Sequence, residues 1–272
     1  MTTMRCARAG TVLLAAMLAT GLGRAAAAPV PPVSFEIGPE IETFSYHEEG
    51  ALRNQGGLFG GYMTLSGNPA DWLSLQAFGS LAGGNLRYEG QSFDGYPLEF
   101  DVPSFLFNTR GLAGFPLMAD SVTLTPFIGF GVRFLDEDLK RNYDNGYRRQ
   151  TTYLYTPIGL AMSVAAPGWT YGLRAEYDLF WTGLNRNRDV PLGDGGTRTI
   201  TVRQDTGYGI QAAVFAQRQL NRILSLTVEP FLTYWDICPS DVERVWLRDY
   251  TYDFQRLANQ TWVYGLRVGL AW

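Results

Sequence analysis

The stretch WTYGLRAEYDLFW, Trp169 to Trp181, alternates strictly between two kinds of side chain. Trp169, Tyr171, Leu173, Ala175, Tyr177, Leu179 and Trp181 fall on one face of a strand. Thr170, Gly172, Arg174, Glu176, Asp178 and Phe180 fall on the other. Side chains alternate across a strand with period two, so an apolar face with an aromatic at each end backs onto a face with three ionised groups. A soluble sheet would turn the charges to water and bury the apolar face. A lipid-embedded sheet does the reverse, because an ionised group cannot face hydrocarbon cheaply.

The C-terminus repeats the pattern. In WVYGLRVGLAW, residues 262–272, Trp262, Tyr264, Leu266, Val268, Leu270 and Trp272 share one face, while Gly265, Arg267 and Gly269 share the other. Ten such runs can be marked, near 33–48, 56–67, 72–88, 102–116, 121–137, 151–166, 169–183, 205–219, 223–237 and 259–272. Most exceed the usual five or six residues of a globular strand and suit a tilted bilayer crossing.

The gaps between runs sort by length. SGNPAD, PLMAD, PG and LNR are tight, whereas GQSFDGYPLEFD, LNRNRDVPLGDGGTRTITVRQ and CPSDVERVWLRDYTYDFQRLA are long. EDLKRNYDNGYRRQ is intermediate and carries the turn signal Asp144-Asn145-Gly146. Tight turns at one end and long loops at the other predict an all-β, antiparallel up-and-down transmembrane barrel of ten strands. A misread hairpin would make it eight or twelve.

The start of the chain reads as an export signal. Arg5 and Arg8 precede the apolar TVLLAAMLATGLG, and GRAAAAP supplies small residues for cleavage, placed here after Ala27. Residues 1–27 are then a cleaved signal peptide and 28–272 one barrel domain. Cys6 precedes the apolar core and is no lipid-attachment cysteine; its removal leaves Cys238 as the one cysteine of the mature chain, so no intrachain disulfide is expected. The formal charge of −4 becomes roughly −7 once Arg5, Arg8 and Arg24 leave. That acidity predicts no nucleic-acid partner.

Extending the faces of Trp169–Trp181 to the other runs predicts an interior network of Glu36, Glu40, Glu42, Arg110, Arg133, Arg174, Glu176, Asp178, Glu229 and Arg267. Closing the sheet puts the last run beside the first, so Arg267 should find Glu36, Glu40 or Glu42, with Glu229 on its other side. Side chains can fill a barrel this narrow, and buried charges persist when paired, so a plugged lumen is expected. Trp72, Trp169 and Trp272 at the tight-turn end, and Trp181, Trp235 and Trp262 at the loop end, are assigned to two aromatic girdles. Lys140, Arg141, Arg148, Arg149, Arg186 and Arg188 flank the loops and are candidate contacts for lipopolysaccharide phosphates.

These features, with TYLYTPIGL (Thr152–Leu160) and the aromatic terminus, resemble the small outer-membrane β-barrel proteins of Gram-negative bacteria, the OmpA/OmpX-like superfamily. The resemblance spans essentially all of the mature chain and implies a bacterial outer-membrane location, lipid and lipopolysaccharide contacts, and a monomer. It also implies that Trp272 is read by the barrel-insertion machinery, although Phe is commoner there. Function divides three ways: a structural or surface-interaction barrel acting through its loops, a narrow porin-like channel for small solutes, or a hydrolase. Omptin-like proteases use Asp pairs and a His–Asp pair at the rim. Here the one histidine, His47, has Glu48, Glu49 and Ser45 nearby and no Asp–His pair. No enzyme, cofactor or metal is therefore expected; Asp136-Glu137-Asp138 and the PLGDGG loop lack an EF-hand's spacing.

Overall fold

The computed structural model describes residues 33–92, 95–191, 196–247 and 250–272, without the side chains of 246–250 and 252. The expected leader and its expected cut after Ala27 lie outside these residues. In chain order the strands are β1 (Val33–Glu48), β2 (Leu52–Ala70), β3 (Leu73–Gln91), β4 (Pro97–Gly114), β5 (Leu117–Ala119), β6 (Val122–Asp138), β7 (Arg148–Ala166), β8 (Trp169–Pro191), β9 (Thr197–Gln204), β10 (Gly207–Gln219), β11 (Ser225–Ile237), β12 (Val242–Leu247), β13 (Tyr250–Gln255) and β14 (Asn259–Ala271).

Ten of these close a ring: β1–β2–β3–β4–β6–β7–β8–β10–β11–β14 and back to β1, each neighbour antiparallel. The seam joins β14 to β1 with Arg267 opposite Glu40. Closure leaves the barrel no unpaired edge, which a sheet in lipid requires. All ten sequence runs became barrel strands.

The long gaps were read as loops, and here the structure differs. Residues 184–191 extend β8 and pair with β9, while β12 and β13 pair with each other in a separate two-stranded sheet. Polar outward residues such as Arg186, Arg188, Thr199 and Thr201 hid these strands, although Val190, Ile200 and Val202 on their other face are buried. A register shift lies between Leu154 and Tyr155, where Thr182 and Phe180 are their partners on β8. The extra residue flips the parity of β8, so Asp178 is buried before it and Asn185 and Asn187 after it.

The outer wall is apolar. Ile37, Ile41, Met63, Leu81, Leu173 and Val214 are all exposed on it. Soluble monomers rarely show contiguous apolar patches beyond a few hundred Å². The faces of Trp169–Trp181 hold as read, with Leu173 outward and Glu176 and Asp178 buried.

Candidate functional site

The lumen is built in tiers from the tight-turn end to the hairpin end. The first is a chamber of about 650 Å³ lined by Glu36, Tyr62, Gln76, Arg174, Gln217 and Glu229 among others. Tyr62 Oη donates to Glu36 Oε1 at 2.5 Å and Thr227 Oγ1 donates to Glu36 Oε2 at 3.1 Å.

Arg267 roofs this chamber. Its guanidinium donates to Glu40 through Nε and to Glu229 Oε1 through Nη1 at 2.9 Å, and Arg174 reaches the same Glu229 oxygen at 3.2 Å. The cation lies 3.8 Å from the Phe231 ring centre and 4.6 Å from that of Phe78. The Phe231 ring occupies the space a Cβ on Gly265 would need, so glycine there admits the stack.

Above it, Arg110 Nη1 donates to both oxygens of Glu176 (3.0 and 3.1 Å) and to Gln211 Oε1 at 2.6 Å. Gln211 passes a hydrogen bond to Asp178 Oδ2 at 3.0 Å. A cavity of about 30 Å³ follows, bordered by Glu42, Arg133 and Trp235. Glu42 Oε1 and Arg133 Nη2 make no hydrogen bond there. Arg133 instead lies 5.5 Å from the Tyr153 ring centre and 5.9 Å from that of Phe44.

Two further tiers were not foreseen. Trp235 packs against Tyr153 and Tyr155, with ring centres 5.6 and 5.1 Å apart. Tyr155 fills the volume a side chain on Gly131 would take. Beyond them, Arg149 makes two 2.6 Å bonds to Glu137, to which Asn54 also donates. Glu48 accepts from Tyr46 Oη at 3.3 Å and from the Leu257 amide at 2.7 Å, with Arg256 at 3.6 Å.

Two assignments are thereby corrected. Trp235 belongs to no girdle, for it is 1% exposed and shares the inward face of β11 with Glu229. Its place near a strand end pointed to lipid headgroups, but alternation from Glu229 points it inward. Arg149 is no surface contact, since it is also 1% exposed. β7 begins at Arg148, and its register sets Arg149 opposite Glu137 inside the barrel. The Asn145-Gly146 turn signal did not give this register, which is centred on residue 143, with Leu139 N donating to Tyr147 O.

The other positions are as follows. Trp72, Trp169, Trp181, Trp262 and Trp272 are exposed on the outer wall. Tyr177, Tyr208, Tyr234 and Trp262 form a row across β8, β10, β11 and β14, with neighbouring ring centres 5.9, 6.1 and 4.3 Å apart. Lys140, Arg141, Arg148, Arg186 and Arg188 are exposed at the hairpin end. Arg148 is paired with Asp136, whereas Arg186 and Arg188 make no ion pair among the described residues. That pairing holds the Arg148 guanidinium above its ordinary pKa. Asp136 and Glu137 point to opposite faces of β6, so that acidic run does not converge on one ion. Among the described residues no three His, Cys, Asp or Glu side chains form a metal-binding group. His47 is exposed, opposite Arg53 and Gln260.

No family model matches the sequence, and no curated protein does either. Among solved structures, the outer membrane protease OmpT from Escherichia coli superposes with a TM-score of 0.58 at 10% identity, covering 88% of this chain and 96% of that one. The translocator domain of the autotransporter NalP from Neisseria meningitidis scores 0.45 at 11% identity, covering 90% and 89%. The protein OprG from Pseudomonas aeruginosa scores 0.35 at 10%, covering 88% and 93%. At such identity the likeness concerns architecture and not activity. In fold, this chain is a closed ten-stranded antiparallel barrel similar to that of the outer membrane protease OmpT.

Proposed function

We propose that the protein is exported by residues 1–27, inserts into the bacterial outer membrane as a monomer with Trp272 read by the insertion machinery, and acts at the cell surface through its hairpins. Its lumen carries no solute flow. The observation behind this reading is the stack of tiers, in which Arg267, Arg110, the Tyr153–Tyr155–Trp235 cluster and the Arg149–Glu137 pair follow one another across the interior. The outward arginines Arg186 and Arg188 are free to meet the phosphates of lipopolysaccharide, since a guanidinium binds phosphate through paired N–H groups. The role calls for no catalysis; among the described residues no carboxylate is hydrogen-bonded to His47.

Planar-bilayer recording of the refolded protein tests it. Wild type should conduct close to nothing, and Arg267→Ala should raise ion leak by leaving Glu40 and Glu229 without their shared cation. Steady conductance of the wild type that Arg267→Ala barely changes would put the narrow channel for small solutes in its place.

A further inference from the structure

The chamber at the tight-turn end does not share the saturation of the tiers above it. Glu36 accepts only from neutral donors, Tyr62 and Thr227, and no cation pairs with it among the described residues. Arg174 uses one of its five N–H groups, the 3.2 Å bond to Glu229, and that carboxylate is already held by Arg267. Both heads line the same cavity of about 650 Å³, with Arg222 exposed among its lining residues. The remaining wall is neutral and hydrogen-bonding, with Ser34, Ser66, Gln76 and Gln217 on it.

The two opposite charges limit the ligand. Glu36 is tied to Thr227 and Arg174 to Glu229, which are inward neighbours two residues apart on β11. That places the Cα atoms of the two tethering residues about 7 Å apart, so Glu36 and Arg174 address neighbouring parts of one chamber. A small molecule whose donor cation and acceptor anion are a few bonds apart can meet both heads.

We infer that this chamber is a binding site for a small zwitterion of the α-amino acid type, entering from the tight-turn side. Its ammonium pairs with Glu36 and its carboxylate with Arg174, while the serine and glutamine walls meet its polar atoms. A simple anion would lie against Glu36 and Glu229, and a simple cation against Arg174. Only a ligand carrying both charges satisfies the two heads together.

Calorimetry on the refolded mature protein in detergent micelles tests the site with three probes: alanine, alaninamide as the cation and N-acetylalanine as the anion. Alanine should bind on the order of tenfold more tightly than either relative. Glu36→Gln retains an acceptor for Tyr62 and Thr227, and it should reduce alanine to the level of N-acetylalanine. Equal binding of all three, or no saturable binding at millimolar concentration, would overturn the site. An unchanged preference in a folded Glu36→Gln protein would do so as well. If that variant fails to fold, the three probes on wild type decide alone. The reading is independent of conductance, so a leaky lumen and an empty chamber are separate failures.

Discussion

The two ends of the lumen are made of the same residue types and behave differently. At the hairpin end Arg149 and Glu137 are each 1% exposed, joined by two bonds and capped by Asn54. At the tight-turn end Arg174 and Glu229 are joined by one bond of 3.2 Å beside a chamber of about 650 Å³. Taking two charges from water is repaid only when geometry and further hydrogen bonds satisfy both. The upper pair meets that condition from within the barrel. The lower groups keep part of their hydrogen-bonding capacity for whatever enters. One end is therefore built as a seal and the other as a receptacle.

The sharpest way to break this contrast is to remove one charge from each end. Glu137→Ala leaves Arg149 buried and alone and should destabilise the barrel by about 3–5 kcal/mol. Glu36→Ala strands no buried cation and should cost about 1 kcal/mol, the net value of an ordinary hydrogen bond. Urea unfolding from lipid vesicles measures both, and equal losses would erase the distinction between the ends.

A smaller effect tests the faces on which both ends depend. Leu173→Arg sets a guanidinium against lipid and should cost about 2–4 kcal/mol, while Thr170→Arg, on the inward face near the rim, should cost much less. Folding yield into bilayers, read by the gel shift between boiled and unboiled samples, reports the difference. Similar yields would mean that the inward and outward faces have been exchanged.

The smallest effect on stability is expected outside the lumen. Arg186→Gln with Arg188→Gln changes exposed groups without ion pairs and should move stability by less than about 0.5 kcal/mol. Lipopolysaccharide retained through purification should nevertheless fall. Unchanged retention would remove these arginines from the surface role.

Much of this was legible before any coordinates, and the limits have a physical origin. Ten strands and their faces followed from alternation, because one face meets lipid and leaves an unbroken apolar signal. Arg267 between Glu40 and Glu229 followed from strand order, since closing a ring makes the first and last runs neighbours. The upper seal did not follow. Above the hydrocarbon the outward face of a strand turns polar, as Thr199, Thr201 and Arg203 do on β9, so β9 and the end of β8 looked like loop although Val190, Ile200 and Val202 are buried. The extra residue of β8 opposite Leu154–Tyr155 then reversed the parity that the lower half had taught. Trp235 and Arg149 were judged by height along the chain when alternation and register were the better guides. The chamber could not be read at all, because an empty volume depends on the sizes of side chains from several strands at once.

The seam has a consequence for the order of events in assembly. Arg267 and Glu40 are 227 residues apart, so their contact is among the most distant in the chain, and chain-closure entropy delays such contacts. Until β14 meets β1, Arg267 can be matched by Glu229 on its own hairpin, while Glu40 stays unanswered. Joining the last strand to any other edge would leave that carboxylate stranded as it enters the membrane. The chemistry of one residue pair thus makes completion of the ring the step at which a correctly threaded chain separates from an incorrect one, and a slow final phase that quickens when Glu40 is neutralised would be its kinetic mark.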